Sequence, residues 1–213
     1  EENIDQAVRR VLVLKQNLGL LDDPFRRVAS ISSVSYEKNR ELALDAARRS
    51  ITVLSNKGIL PLHPNIRRLA VVGPLASARD DMLGPWSAAG SPENCVTPLE
   101  GLKTALPHCE IAYHAGVGFD GEDVSGIGPA CALCTGADAV ILCLGESAGM
   151  SGEAASRARP GLPGRQRELA EAVLATGAPV VVILSSGRPL MISWLVERAQ
   201  AVIASWWLGD LAV

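Results

Sequence analysis

Residues 139–157 read AVILCLGESAGMSGEAASR and bring two carboxylates, Glu146 and Glu153, and a serine next to the first of them, Ser147, into a single stretch. Gly145-Glu146-Ser147-Ala148-Gly149 fits G-x-S-x-G, the pattern of a hydrolase nucleophile elbow, and it follows an apolar run as an elbow does. Glu153 stands further along, in a Gly- and Ser-rich loop beside Met150, Ser151, Ser156 and Arg157. A carboxylic acid in such a loop is suited to proton donation if partial burial or a nearby anion raises its pKa towards neutrality. Arg157, four residues on, is placed to orient that carboxyl or to hold a substrate hydroxyl. Taken alone, a loop glutamate reads more plainly as a solvated surface charge.

The serine chemistry lacks its other parts. An elbow passes from strand through a sharp turn into a helix, but "MSGEAASRARPGLPG" follows Gly149, with three glycines and two prolines before a helical pattern begins near Arg165. The triad order needs a histidine after the serine, and His63, His108 and His114 all precede Ser147. No HGGG-like oxyanion segment stands upstream. The G-x-S-x-G match is expected to be incidental, with a serine esterase as the minor alternative.

Other chemistries find less support. The loop after "LAVVG" (69–73) begins Gly73-Pro74-Leu75-Ala76-Ser77, without G-x-G-x-x-G, and the chain has no phosphate-binding G-x-x-x-x-G-K-[ST]. Cys131 and Cys134 form one CxxC in a helical stretch, but no second Cys/His pair has zinc spacing, so no metal is expected. The five cysteines, an odd number, do not form a disulfide framework. A net charge of −3 with no basic stripe argues against nucleic acid. No apolar run reaches the roughly 18 residues of a membrane helix, so no membrane partner is expected.

The elements that must position Glu153 follow an alternating pattern. Residues 4–18 place Ile4, Val8, Val11, Leu12 and Leu18 near one face at helical spacing, stopped by Gly19, and a second helix is expected over 37–50. Continuous apolar runs at 69–73, 110–116, 139–145, 179–187 and 201–207 alternate with helical segments near 97–106, 125–136, 163–176 and 189–198. Strands of that kind are covered on both faces, which indicates a mostly parallel sheet in an α/β layered domain. Ligands meet such sheets at the carboxyl ends of the strands, here the loops 73–96, 145–163 and 185–189. The first of these is long and centres on Trp86, either a pin for the loop or an aromatic platform beside a ligand.

"IDQAVRRVLVLKQNLGLLDDPF", "ARRSITVLSNKGILPL", "LAVVGPLA", "MLGPWSAAG", "AVILCLGESAGMSGEAASR", "LPGRQRELAEAVLATGAPVVVILSSGRPL" and "AVIASWWLG", in this order, together resemble the C-terminal part of the glycoside hydrolase family 3 β-glucosidases, close to the bacterial periplasmic ones. The resemblance implies a three-layer α/β/α sandwich with a mostly parallel sheet, preceded by the last helix of a TIM-like barrel. It assigns 1–26 to the barrel, 27–40 to a linker and 41–213 to the sandwich domain, truncated at its end. It implies that Glu153 is the acid/base of a retaining mechanism, with Arg157, Trp86, Met150 and Ser156 around the sugar and the nucleophilic aspartate on the barrel. Glu146 is the fallback acid, though nearer the strand end and more suited to a structural role. The implied partners are a β-glucoside or short β-linked oligosaccharide and the N-terminal barrel domain of the same polypeptide, with no cofactor and a periplasmic location. Xylosidase or N-acetylglucosaminidase activity, or a sugar-binding module without catalysis, are the alternatives. The chain opens at Glu1 within a helical pattern and closes with "WWLGDLAV", away from the family's Gly/Glu-rich continuation. It is therefore expected to be a piece of a longer chain, inactive without its barrel.

Overall fold

The computed structural model describes residues 1–25, 33–87 and 89–209, with backbone alone for 33–37. Most of the expected linker's start, and all of the divergent ending 210–213, lie outside the described residues. The chain divides into two compact units, Glu1–Arg40 and Glu41–Val213.

The first unit holds helix α1, Glu2–Asn17. Gly19, at φ 70°, ends it: the N–H groups of Gly19 and Leu20 return to Gln16 O and Lys15 O, a left-handed closure that glycine adopts without strain. The stripe Ile4, Val8, Val11 and Leu12 is exposed. Helix α2 spans Ser33–Ser50, starting earlier than the expected residue 37.

The second unit is built on six strands, β1 Thr52–Asn56, β2 Arg68–Val72, β3 Glu110–His114, β4 Ala139–Gly145, β5 Val180–Ser185 and β6 Ala201–Ala204. They form one sheet in the order β1-β6-β5-β4-β2-β3, parallel except for β1, which runs antiparallel to β6. Five strands were expected from the apolar runs. The sixth, "TVLSN", is an edge strand with mostly exposed side chains, so it lacks the continuous apolar run of its neighbours.

Alternate residues of the central strands feed two cores. Ala70, Val72, Val140, Leu142, Leu144, Val180 and Val182 face one side. There they meet helices α4 Ile127–Cys134, α5 Gln166–Ala175 and α6 Ser193–Arg198 through Cys134, Leu169, Val173 and Leu195. Leu69, Val71, Ile141 and Val181 face the other side, against Leu75 and helix α3 Pro98–Ala105 through Leu99. Fully burying each Val, Leu or Ile of this set contributes about 1.5–3 kcal/mol. The expected three-layer α/β/α sandwich with a mostly parallel sheet is the architecture found.

From β2 the chain steps to β3 at the edge, then crosses back to β4 on the opposite side of β2. The carboxyl ends of β2 and β4 thus flank the switch point where open α/β sheets bind ligands. Glycines end both strands because neighbouring backbone closes in. A Cβ on Gly73 (φ 114°) would lie 2.1 Å from Cys143 O, and one on Gly145 (φ 137°) would lie 1.8 Å from Ser185 O.

Candidate active site

Both loops that leave the switch point are held by identifiable contacts. The loop after β2 contains three short 3-10 turns, Pro74–Ala76, Arg79–Asp81 and Pro92–Asn94. Thr97 caps α3 in a reciprocal capping box with Glu100. Arg79 reaches both Glu100 and Cys95 O, tying the loop to that helix start.

The loop after β4 begins with a pair of bonds from a helix residue. Gln166, fully buried at the start of α5, accepts the Gly145 N–H and donates to Gly145 O, each at 2.8 Å, and also donates to Phe119 O at 3.0 Å. Beyond Leu142 the β2 ladder has ended, so this carboxamide takes the place of a neighbouring strand. Nothing in the local sequence pattern marks Gln166.

Glu146 comes next, with no exposed surface. Its Oε1 accepts from Arg157 Nη1 at 2.8 Å; its Oε2 accepts from Ser186 Oγ at 2.7 Å, Ser151 Oγ at 2.8 Å and Arg188 Nε at 3.2 Å. Burial pushes this carboxyl up, but the hydrogen bonds from Arg157, Ser186 and Ser151 and the charge of Arg188 outweigh it, and its pKa lies below the ordinary 4.5. A carboxylate held ionised in this way is a poor proton donor near neutral pH. Glu146 therefore acts as the anchor of the loop.

Ser147 takes φ −69°, ψ 161°, ordinary extended backbone, and leads into one 3-10 turn, Ala148–Met150. An elbow serine sits on a strained turn running into a helix, so the G-x-S-x-G match lacks the geometry of its chemistry. Ala148 N–H donates to Asp81 Oδ1 at 2.6 Å, joining this loop to the loop after β2. Burial, with help from the neighbouring Asp80, pushes the Asp81 carboxyl up against the lowering effect of that backbone bond.

Glu153 stands at the tip, exposed, between Gly152 at φ 97° and Ala154 at φ 60°. Those two neighbours line a cavity of about 450 Å³ whose wall also includes Trp86, Ser156, Arg188 and Trp207. Trp86 is 70% exposed, and Ser156 is exposed as well. The Trp207 indole N–H is buried with no hydrogen-bond partner among the described residues. Of the residues singled out from the sequence, Trp86 and Ser156 thus share one cavity with the flanks of Glu153. Arg157 and Met150 belong to the frame: the Arg157 guanidinium goes to Glu146, and Met150 O accepts from Arg188. Sequence reasoning flagged the loop after β5 but not Arg188 within it.

A larger groove, about 800 Å³, opens at the other end of the strands near Lys57, His63, Asp138 and Gln200. Its charges are already engaged: Asp138 accepts the N–H groups of Arg67 and Arg68, and Lys57 reaches Glu197 O. The cavity beside Glu153, though smaller, brings together aromatic rings, a guanidinium and the two neighbours of an exposed carboxyl.

Cys134 and Cys143 are buried among the packed side chains of the two cores. Cys134 Sγ donates to Ala130 O at 3.3 Å, and burial raises the thiols of Cys134 and Cys143 to about 11 and about 12. Among the described residues no group of three His, Cys, Asp or Glu could hold a metal ion, and no helix is long and apolar enough to cross a membrane.

An exposed carboxyl on the loop leaving a switch-point strand stands where open α/β sheets meet ligands. Residues 51–212 match the glycosyl hydrolase family 3 C-terminal domain, and the chain belongs to that family. It is 36% identical to a β-xylosidase of Formosa agariphila and 34% identical to the periplasmic β-glucosidase of Salmonella typhimurium, each over 97% of this chain and 30% of that protein. The crystal structure of a β-glucosidase from Listeria innocua in complex with isofagomine superposes with a TM-score of 0.87 at 33% identity, covering 100% of this chain and 30% of that one. The chain therefore spans about 30% of the length of these relatives.

Proposed function

We propose that this chain supplies the general acid/base, Glu153, of a retaining β-glycosidase that removes terminal non-reducing β-D-glucosyl residues. The nucleophilic aspartate is assigned to a TIM-like barrel in the same polypeptide, of which residues 1–26 are the last part, joined to this domain by a linker over 27–40. The observation that carries the reading is the placement of Glu153, exposed at the tip of the loop from β4, with both neighbours on the wall of a cavity that Trp86 shares. Glu146, the competing carboxyl, is buried and fully engaged.

The chemistry has two steps. Glu153, as the acid, gives its proton to the glycosidic oxygen while the aspartate attacks the anomeric carbon, and the aglycone leaves as an alcohol. Ionised Glu153 then takes a proton from water, whose oxygen displaces the aspartate and releases the sugar with its configuration retained. Such carboxyl pairs stand about 5–5.5 Å apart.

The β-xylosidase relative at 36% identity favours a second substrate, a β-xyloside, so both aryl glycosides belong in the test. In the polypeptide that joins this chain to its barrel, Glu153→Ala should lose hydrolysis and regain turnover with azide, yielding a glycosyl azide. Ser147→Ala should stay active. An active Glu153→Ala beside a dead Ser147→Ala would overturn the assignment.

A further inference from the structure

The tip that carries Glu153 has little support of its own. Gly152 and Ala154 both stand at positive φ, and the backbone bond across the tip, Ala155 N–H to Gly152 O, is long at 3.4 Å. The closure comes instead from the loop after β5. Arg188 Nη2 donates to Met150 O and to Ala155 O, each at 2.6 Å, so one nitrogen joins the carbonyls three residues before and two residues after Glu153. Its Nε donates to Glu146 Oε2 at 3.2 Å, and its backbone N–H goes to Ser186 Oγ at the same distance. Ser151 Oγ, which donates to Glu146, also accepts the Gly187 N–H at 3.1 Å.

A guanidinium is planar and its N–H directions are fixed. With Nε aimed at a buried carboxylate, the directions in which Nη2 can hold two carbonyls are set, and with them the spacing of the two ends of the tip. We propose that Arg188, anchored on Glu146, is a positioning residue for Glu153: it clamps the loop so that the acid presents to the glycosidic oxygen, an inference that rests on Glu153 being the acid/base. Arg188 also lines the cavity, so direct contact with substrate is the competing role, and the test separates the two.

The test uses the polypeptide with its barrel and a series of aryl β-glucosides, from 2,4-dinitrophenyl, which departs without a proton, to phenyl, which needs one. Arg188→Met should lower kcat/KM for the phenyl glucoside by about 10²-fold, the cost of displacing a catalytic group by about an ångström. For the 2,4-dinitrophenyl glucoside it should lower kcat/KM only several-fold. Arg188→Lys, a point charge without the fork, should fall between Arg188→Met and wild type in that ratio, and it decides the matter if Arg188→Met does not fold. Equal losses across the series, or a raised KM with unchanged dependence on the leaving group, would overturn the positioning role. Glu153→Ala, run alongside, should show the steeper dependence together with azide rescue. If it shows neither, the assignment of Glu153 fails and the Arg188 inference falls with it; if it shows both and Arg188→Met and Arg188→Lys show none, only the Arg188 inference fails.

Discussion

The Asp81 carboxylate accepts the backbone N–H of Ala148 at 2.6 Å, joining the loops that leave two adjacent strands. Burial raises the pKa of Asp81, so the folded chain holds this proton more tightly than the unfolded chain does. The stability it contributes is fully present below the ordinary value of 3.8 and is lost as pH rises through the raised folded value. Asp81→Asn keeps an oxygen for Ala148 and removes the desolvated charge. It should melt at or above the wild-type temperature at neutral pH. Asp81→Ala strands the N–H and should cost about 1–2 kcal/mol. A large loss in the Asn variant would show that the negative charge itself is needed.

Glu146 behaves in the opposite sense. Its lowered pKa means that its stabilisation is fully present above the ordinary 4.5 and is lost as pH falls through the lower folded value. Glu146→Gln leaves Arg157 and Arg188 without their common counter-charge and should cost about 2–4 kcal/mol at neutral pH, since a buried partner is removed. Denaturant titrations at several pH values should show the gap between wild type and variant narrowing below pH 4.5. A constant gap would mean that packing, not ionisation, carries the difference.

Gly145→Ala should be among the most damaging single-methyl additions in the domain. The new Cβ would fall 1.8 Å from Ser185 O on a backbone at φ 137°, and the obstacle is backbone rather than a flexible side chain. A loss of about 3–5 kcal/mol, or failure to accumulate as folded protein, is expected.

Ala154→Gly should go the other way. A left-handed φ of 60° costs an L side chain about 1–2 kcal/mol, while the extra freedom of glycine when unfolded returns about 0.5–1. A net gain of about 0.5 kcal/mol should appear as a small rise in Tm. A fall in Tm would indicate that the Ala154 methyl makes a contact worth more than its strain.

The buried strands were legible because parallel strands covered on both faces are written as unbroken apolar runs, as in "AVILCLG" and "PVVVILS". β1 was not, since an edge strand in water has no reason to be apolar throughout. Glu153 was legible as a carboxyl in a Gly/Ser-rich loop at a strand's carboxyl end, and Glu146 as a carboxyl suited to a structural role. The partners that hold Glu146 and the stem of its loop were not. Arg188 lies 42 positions from Glu146, and Gln166 lies 21 from Gly145, each brought into place by the fold rather than by local spacing. Arg157 shows the same limit: its four-residue distance from Glu153 suggested one carboxyl, and the fold gives it another eleven residues back.

Gln166 pairs with both polar groups of Gly145, so β4 ends on bonds supplied from outside its own loop. The stem is thus a socket, made of Gly145, Glu146, Gln166 and Arg188, and the exposed residues between act as a cartridge seated in it. Lengthening or rewriting the stretch from Gly152 to Ala154 leaves every bond of the socket in place. One scaffold can in this way present differently shaped loop tips while its sheet stays the same.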